Sequence, residues 1–483
     1  MSLLQGRPVY YAARTVLARL HRSLVAWLGL LALALASVPS AGAAPLPGDD
    51  LYAVATPDGR RVVAVGAYGA IRVSTDGGES WRAAASPVDS TLTSVSLADA
   101  EQGWAVGMDG VLLRTVDGGA HWTRQDPPAG GEALHLLGVH ALDAQRALAV
   151  GSWGARLRTD DGGRSWTDDP MTLGPGHPRF AWLDPAERAR VRRGGAVRED
   201  VALQSVICRP GTEHCVLVGE FGTLQLSRDG GRSWRPAAIR APELRQILPE
   251  GAAEAAPPPE LRALAAALAE HPAAVLEVEA FASPGEIGAR VRGGQAGPLF
   301  ELIEARLDAG RGAAEAAGAD AALLRAAGRP PWQLAEFGGA EPGLLDPYLA
   351  ARRAPRPALQ WALRPRPLLY DVVLVDEARA WAVGLGGAAW LSEDGGESWE
   401  VAPTPAETAF YGVAASGERV RAAGADGSLW SPVEGSAPAS TPGRFLRDLA
   451  FAPAAPEMGF AVGEGGLVLR SLDGGRSWTR VAP

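Results

Sequence analysis

Lysine is missing from this chain of 483 residues, so all 46 basic side chains are arginine. Schiff-base chemistry and a lysine general base are thereby excluded. Cysteine is almost missing as well, with only Cys208 and Cys215. Two thiols do not make a zinc site, and the seven histidines show no metal-ligand spacing. The 46 arginines are outnumbered by 55 acids, for a net charge of −9. A chain of that sign is a poor partner for nucleic acid, which binds through displaced counterions. There is no G-x-S-x-G elbow, and the DGG turns lack the alternating oxygen ligands of a calcium loop. The sequence therefore predicts no cofactor and no metal.

What is present is globular in character, at 47% hydrophobic and 21% charged residues. Residues 1–43 hold four arginines and no acid, then the apolar run Leu24–Val38, then Ala41-Gly42-Ala43. That order predicts a secretory signal peptide cleaved near Ala43, with an uncleaved anchor as the alternative. Without it the chain carries 42 arginines against 55 acids, a net −13. A periplasmic or extracellular location follows as the expectation. Export makes a disulfide permissible, and Cys208 and Cys215 flank the turn-like RPGTEH, facing each other across a predicted hairpin.

One eight-residue word recurs. STDGGESW at Ser74–Trp81 returns as TVDGGAHW, TDDGGRSW, SRDGGRSW, SEDGGESW and SLDGGRSW, ending at Trp122, Trp166, Trp234, Trp399 and Trp478. Each copy follows a prefix such as AVGAYGAIRV, which reads as strand, glycine-containing turn, strand; the word is a turn and its tryptophan opens a fourth strand. Each unit is an antiparallel meander of about 40 residues, its strands labelled A to D in chain order. Residues 423–431 (AGADGSLWS) supply a seventh prefix whose word is missing, so Gly66, Gly107, Gly151, Gly219, Gly384, Gly424 and Gly463 mark seven units. The expected fold is an all-β, seven-bladed β-propeller, since the end units lack the atypical caps of a solenoid. The aspartates Asp76, Asp117, Asp161, Asp229, Asp394 and Asp473 should bond turn amides, the glycines supply positive φ, and the tryptophans fill space between units. The word is architecture.

S/T-x-D-x-G-x-x-W resembles the Asp-box, or BNR repeat, of sialidases, other glycoside hydrolases, sortilin-type receptors and photosystem II assembly factors. With the AVGxxGxLxR prefix it is most similar to the last of these and their exported bacterial relatives, over residues 51–166, 203–234 and 369–483. The resemblance implies a non-enzymatic propeller that helps assemble a membrane protein complex.

Two stretches break the period. Thr167–Val201 separates units three and four within the ring segment 44–234; 235–368 separates units four and five, and the ring resumes over 369–483. Both join strand D to the next strand A, which predicts that they rise from the face opposite the boxes. Pro258–Glu270, Pro298–Asp308 and Ala313–Ala327 read as helices and Val275–Phe281 as a strand, so the second insertion is expected to be mostly helical. The first carries Arg188, Arg190, Arg192, Arg193 and Arg198, either a solvated face or a contact for an acidic protein segment or anionic lipid headgroups. Tyr68, Trp153 and Phe221 sit in B–C turns on the same face, as partner anchors or as plugs folded over the blade.

A glycoside hydrolase or a glycan-binding propeller is the rival class. A sialidase has six blades and an F/Y-R-I-P-like segment near its mature start, where this chain reads DDLYAVATPDGRRV; a xyloglucanase has two propellers. Glycosidic carboxylates stand about 5–10 Å apart. Asp371 and Asp448 fall on inner strands, where bonds to neighbouring strands explain them equally well. The expectation is an exported, non-enzymatic scaffold binding a membrane or envelope protein complex, with peripheral membrane contact as an option.

Overall fold

The alternating apolar pattern of each repeat folds as a meander, and the first shows how. Leu51–Ala55, Val62–Gly66, Ile71–Ser74 and Arg82–Ala83 pair in chain order, every pair antiparallel. This is a computed structural model; it describes residues 48–174, 183–240, 243–254, 256–270, 274–291, 297–326, 353–365, 368–402, 404, 408–431, 435–436 and 444–481. The leader expected over 1–43 lies outside the described residues.

Seven such sheets form a ring. Their inner strands are Leu51–Ala55, Leu92–Leu97, Leu136–Ala141, Leu203–Cys208, Leu369–Leu374, Phe410–Ser416 and Leu446–Ala452. Each inner strand touches the next, and the last touches the first. Seven apolar cores fill the gaps between neighbouring sheets, from Val63 with Leu113 between the first two to Val62 with Phe460 at the closure. The strands that end in AVG and its variants are buried along their whole length, because both of their faces meet a core.

The glycine of AVG is there for close approach. Gly66 has φ −170° and ψ −150°, extended backbone open to any residue. A Cβ on it would stand 1.9 Å from the Asp50 carbonyl oxygen, and one on Gly107 2.1 Å from that of Thr91. Strand A is bulged at this point, which presses its backbone onto strand B.

The box closes the C–D turn. In the first copy the Ser74 hydroxyl accepts from Gly78 N–H at 2.8 Å and donates to Asp76 at 2.8 Å. The Asp76 carboxylate accepts from Ser80 N–H at 2.9 Å, and Trp81 Nε1 donates to Gly78 O at 3.3 Å. The two glycines take φ 74° and 80°, which a side chain resists. Asp117, Asp161, Asp229, Asp394 and Asp473 repeat the amide bond. Trp122, Trp166, Trp234, Trp399 and Trp478 each pack into the core shared with the preceding blade. Trp166 differs in one bond: its Nε1 donates to Gln125 Oε1 at 3.2 Å, from the neighbouring outer strand. In the sixth blade, where the word is missing, Gly435–Ser436 still pairs as the outer strand.

Both insertions begin after an outer strand, Thr167–Asp168 in the third blade and Arg235–Pro236 in the fourth. In the first, helix Pro185–Arg192 starts at Asp184, whose carboxylate accepts from Glu187 N–H while Glu187 reaches back to Asp184 N–H. In the second, the mostly helical expectation is corrected: the described residues form a two-layer unit of strands and helices. Its sheet runs Glu243–Ile247, Ala358–Pro365, Ala274–Phe281, Leu324–Ala326, with the last pair parallel. Helices Leu261–Glu270, Pro284–Val291 and Gly297–Ala316 complete the unit, and residues from the sheet and all three enter one core. The helix expected at Ala313–Ala327 stops at Ala316, because Gly318 turns the chain at φ 105° and Asp320 caps a short 3-10 turn leading into the parallel strand. Arg306 and Glu286, both buried, pair at 2.6 Å inside the unit. Ala238–Ile239 adds a fifth, parallel strand to the outer edge of the fifth blade, and Val401 of that edge packs against the unit's core.

Candidate functional site

Each B–C turn but the sixth holds a left-handed glycine and, immediately before it, one further left-handed residue whose identity varies, Asp109 in the second blade. In the fifth and seventh blades it is glycine, Gly386 and Gly465, at φ 62° and 64°. In the first, third and fourth it is Tyr68, Trp153 and Phe221, at φ 54°, 56° and 57°. A bulky L-residue there costs about 1–2 kcal/mol. The rings point outward, with 61%, 47% and 42% of their surface exposed, so they are not plugs over the blade. Leu385, in the turn of the fifth blade, is exposed too.

The first insertion folds onto this face. Gly154 N–H donates to Val201 O and Met171 N–H to Gly154 O, both at the turn of the third blade. Arg198 bonds the Trp153 carbonyl at 3.4 Å and pairs with Asp168. Arg188 donates to Leu183 O at 2.8 Å, at the start of the helix. Arg190, Arg192 and Arg193 are exposed. Of the five arginines, then, two brace the insertion and three face outward.

A second cluster lies inside this rim, at the second position of the inner strands. That position reads Tyr52, Thr93, Leu137, Gln204, Tyr370, Tyr411 and Arg447 from the first blade to the seventh. The Arg447 guanidinium lies over three rings, 4.8 Å from the centre of Tyr411, 5.5 Å from Phe445 and 5.6 Å from Tyr52. Such contacts stabilise a cation without neutralising it. Tyr370 and Tyr411 pack at 5.0 Å. Burial, reinforced by the nearby Asp50 charge, pushes the Tyr52 hydroxyl to about 12. Burial does the same to Tyr370. Both rings stay neutral. Buried Arg447 Nε and Tyr52 Oη have no hydrogen-bond partner among the described residues. Sequence reasoning missed this cluster. The signal was the second letter of LY, LT, LL, LQ, LY, FY and LR at the start of each strand A.

One step deeper, Asp371 and Asp448 flank Gly412, where a Cβ would come within 3.0 Å of the Asp448 carboxylate. Asp371 accepts from Ser205 Oγ at 2.7 Å and from Val413 N–H at 2.8 Å. Asp448 accepts from Val54 N–H at 2.9 Å and Leu449 N–H at 2.7 Å. Both oxygens of each are occupied, and three of the four bonds stitch inner strands together, the Leu449 bond lying within the strand of Asp448. Ser94 does the same work for Val139 N–H. Burial raises both aspartates above the usual carboxylate range, and for Asp448 the Asp371 charge raises it further. In the inner strand of the third blade, burial holds His140 down at about 4, so it is neutral.

Cys208 and Cys215 are bonded across the A–B hairpin of the fourth blade, where they are directly paired. Among the described residues no group of three His, Cys, Asp or Glu could hold a metal. A hollow of about 410 Å³ in the second insertion is lined by Pro257–Pro259, Leu261, Arg262 and alanines, with one charged side chain and no constellation for chemistry.

The family model described as photosynthesis system II assembly factor YCF48 matches residues 74–199. No curated protein matches the chain. Among solved structures, YCF48 from Cyanidioschyzon merolae is 16% identical with a TM-score of 0.45, over 89% of this chain and 97% of its own. A YCF48 bound to D1 peptide is 16% identical with a TM-score of 0.33, over 80% and 94%. The GH74 xyloglucanase from Xanthomonas campestris is 13% identical with a TM-score of 0.47, over 91% of this chain and 55% of that enzyme. By its ring of meanders and by the family model over its second and third repeats, the chain is a β-propeller that resembles the photosystem II assembly factors.

Proposed function

We propose that this protein is an exported, non-enzymatic scaffold that binds a membrane protein complex during its assembly or stabilisation, through the face of its B–C turns. The match to an assembly-factor family supports the class of function. The observation that carries the contact face is the Arg447 cluster, a cation banked by three rings with a buried, unpartnered Nε. An acidic or C-terminal carboxylate of a partner chain is the complementary group, since a guanidinium binds carboxylate through a planar fork. Around it, Tyr68, Trp153 and Phe221 offer aromatic anchors and Arg190, Arg192 and Arg193 a cationic rim, with Arg188 and Arg198 holding that rim in place. The Cys208–Cys215 bond fits an oxidising compartment outside the cytoplasm.

Chemical crosslinking in native membranes, followed by recovery of the tagged chain, tests this. Wild type is expected to capture a defined set of membrane proteins, and Arg447→Gln to lose them while folding normally. Equal capture by both would remove the cluster as the contact, and no enrichment over background would remove the scaffold role.

A further inference from the structure

We infer that the face of the B–C turns also lies against an anionic lipid bilayer. Of the eight exposed large hydrophobic side chains among the described residues, five are here: Tyr68, Trp153, Phe221, Leu385 and Phe445. The others are scattered, Val116 and Leu472 in boxes on the opposite face and Ile247 in the second insertion. A soluble ring has no reason to gather its apolar tips on one side, and to keep three of them in a strained backbone conformation. Tryptophan, tyrosine and phenylalanine side chains with an exposed rim are suited to the depth of lipid headgroups.

Charge points the same way. Helix Pro185–Arg192 belongs to the insertion that joins the blades of Trp153 and Phe221, and Arg190, Arg192 and Arg193 are exposed there in a protein that is otherwise acidic. Part of the acidic charge on this face is taken up in hydrogen bonds, although Asp89 and Asp126 in its D–A loops are exposed. Asp50 accepts from Gly465 N–H, Glu220 from Ala202 N–H and Asp109 from Ser90 Oγ, while Asp184 and Glu187 cap the helix. Juxtaposed arginines and aromatics are what an anionic leaflet attracts.

The chain also enters on this side. Gly48 packs against Gly466, in the B–C turn of the seventh blade, where a Cβ would meet it at 3.2 Å. This inference rests on the proposed contact face but asks for no protein partner.

Hydrogen exchange on the full chain tests it, with phosphatidylcholine vesicles that contain or lack phosphatidylglycerol. Exchange in peptides covering 152–154, 188–193 and 219–222 is expected to slow on the order of tenfold only when phosphatidylglycerol is present. The triple variant Arg190→Ser, Arg192→Ser, Arg193→Ser should lose that protection while its box peptides exchange as in wild type. Identical exchange on both vesicles, or protection that survives in the triple variant, would overturn the inference. With no protein partner present, either result leaves the scaffold reading to its own experiment; capture of a membrane protein without lipid protection would assign the face to protein alone.

Discussion

Trp153 and Phe221 hold a conformation that asparagine and glycine accept far more readily. Trp153→Asn and Phe221→Asn are therefore expected to leave the melting temperature unchanged or raise it by about 1–2 °C, as read by thermal denaturation, while weakening vesicle binding. A drop of several degrees would mean that the rings hold the blade together. At the axis the balance is electrostatic. Asp448 is held above its unfolded value, so the folded state binds more protons than the unfolded chain from about pH 4 upward, and stability falls as pH rises through the folded value. Asp448→Ser, which installs the residue that the second and fourth blades carry at this position, should flatten that fall between pH 5 and about 8. Melting curves across pH decide it; an unchanged slope would place the pH dependence elsewhere. These residues also mark how far the site was legible. Tyr68, Trp153 and Phe221 stood out because they are aromatic residues set in the turns of the repeat. Arg447 did not, since its partners lie in other blades and no local pattern links Tyr52 to a residue 395 positions away.

The box is the element on which the blade depends. Trp399 is fully buried against the fourth blade and donates to Gly396 O at 3.0 Å. Trp399→Ala should cost about 3–5 kcal/mol in urea unfolding. A loss below about 1 kcal/mol would show that neighbouring side chains fill the space. The bonded cysteines close a hairpin loop, and their joint replacement by alanine should cost about 2.5 kcal/mol in the chain-entropy account. Six boxes were legible because every residue in them obeys a local rule of turn, hydroxyl or aromatic packing. The second insertion was legible only where its pattern was local. Val275–Phe281 alternates and proved a strand, one face buried on helices. Ala358–Pro365 alternates too, with Leu359, Trp361 and Leu363 in the core and Gln360 and Arg364 bonded to Glu243 on the other face, and the sequence reading passed over it. The added edge strand Ala238–Ile239 is two residues long and carries no period at all.

The ring as a whole closes without exchanging a strand: the first and last blades each take all four strands from their own repeat. Closure therefore rests on contacts between complete blades. Phe460, fully buried, meets Trp81 edge-on at 6.3 Å and lies against Gly78, where a Cβ would come within 2.6 Å. Arg470 reaches the Gly77 carbonyl at 2.9 Å, and Asp448 holds Val54 N–H. A continuous backbone spans every other junction of neighbouring blades, but at this one the chain offers no covalent link to limit opening. Phe460→Ala should cost about 3–5 kcal/mol, and native-state hydrogen exchange should then speed up first in Val62–Gly66 and Gly459–Gly463. Phe410→Ala is the control, since Phe410 is equally buried and stacks on Trp430 at 5.0 Å within a junction the backbone spans. Faster exchange confined to the first and seventh blades makes closure the weak seam from which the ring opens. Exchange that rises evenly in all blades for both variants makes the ring a single cooperative unit, whose stability does not depend on where the chain begins and ends.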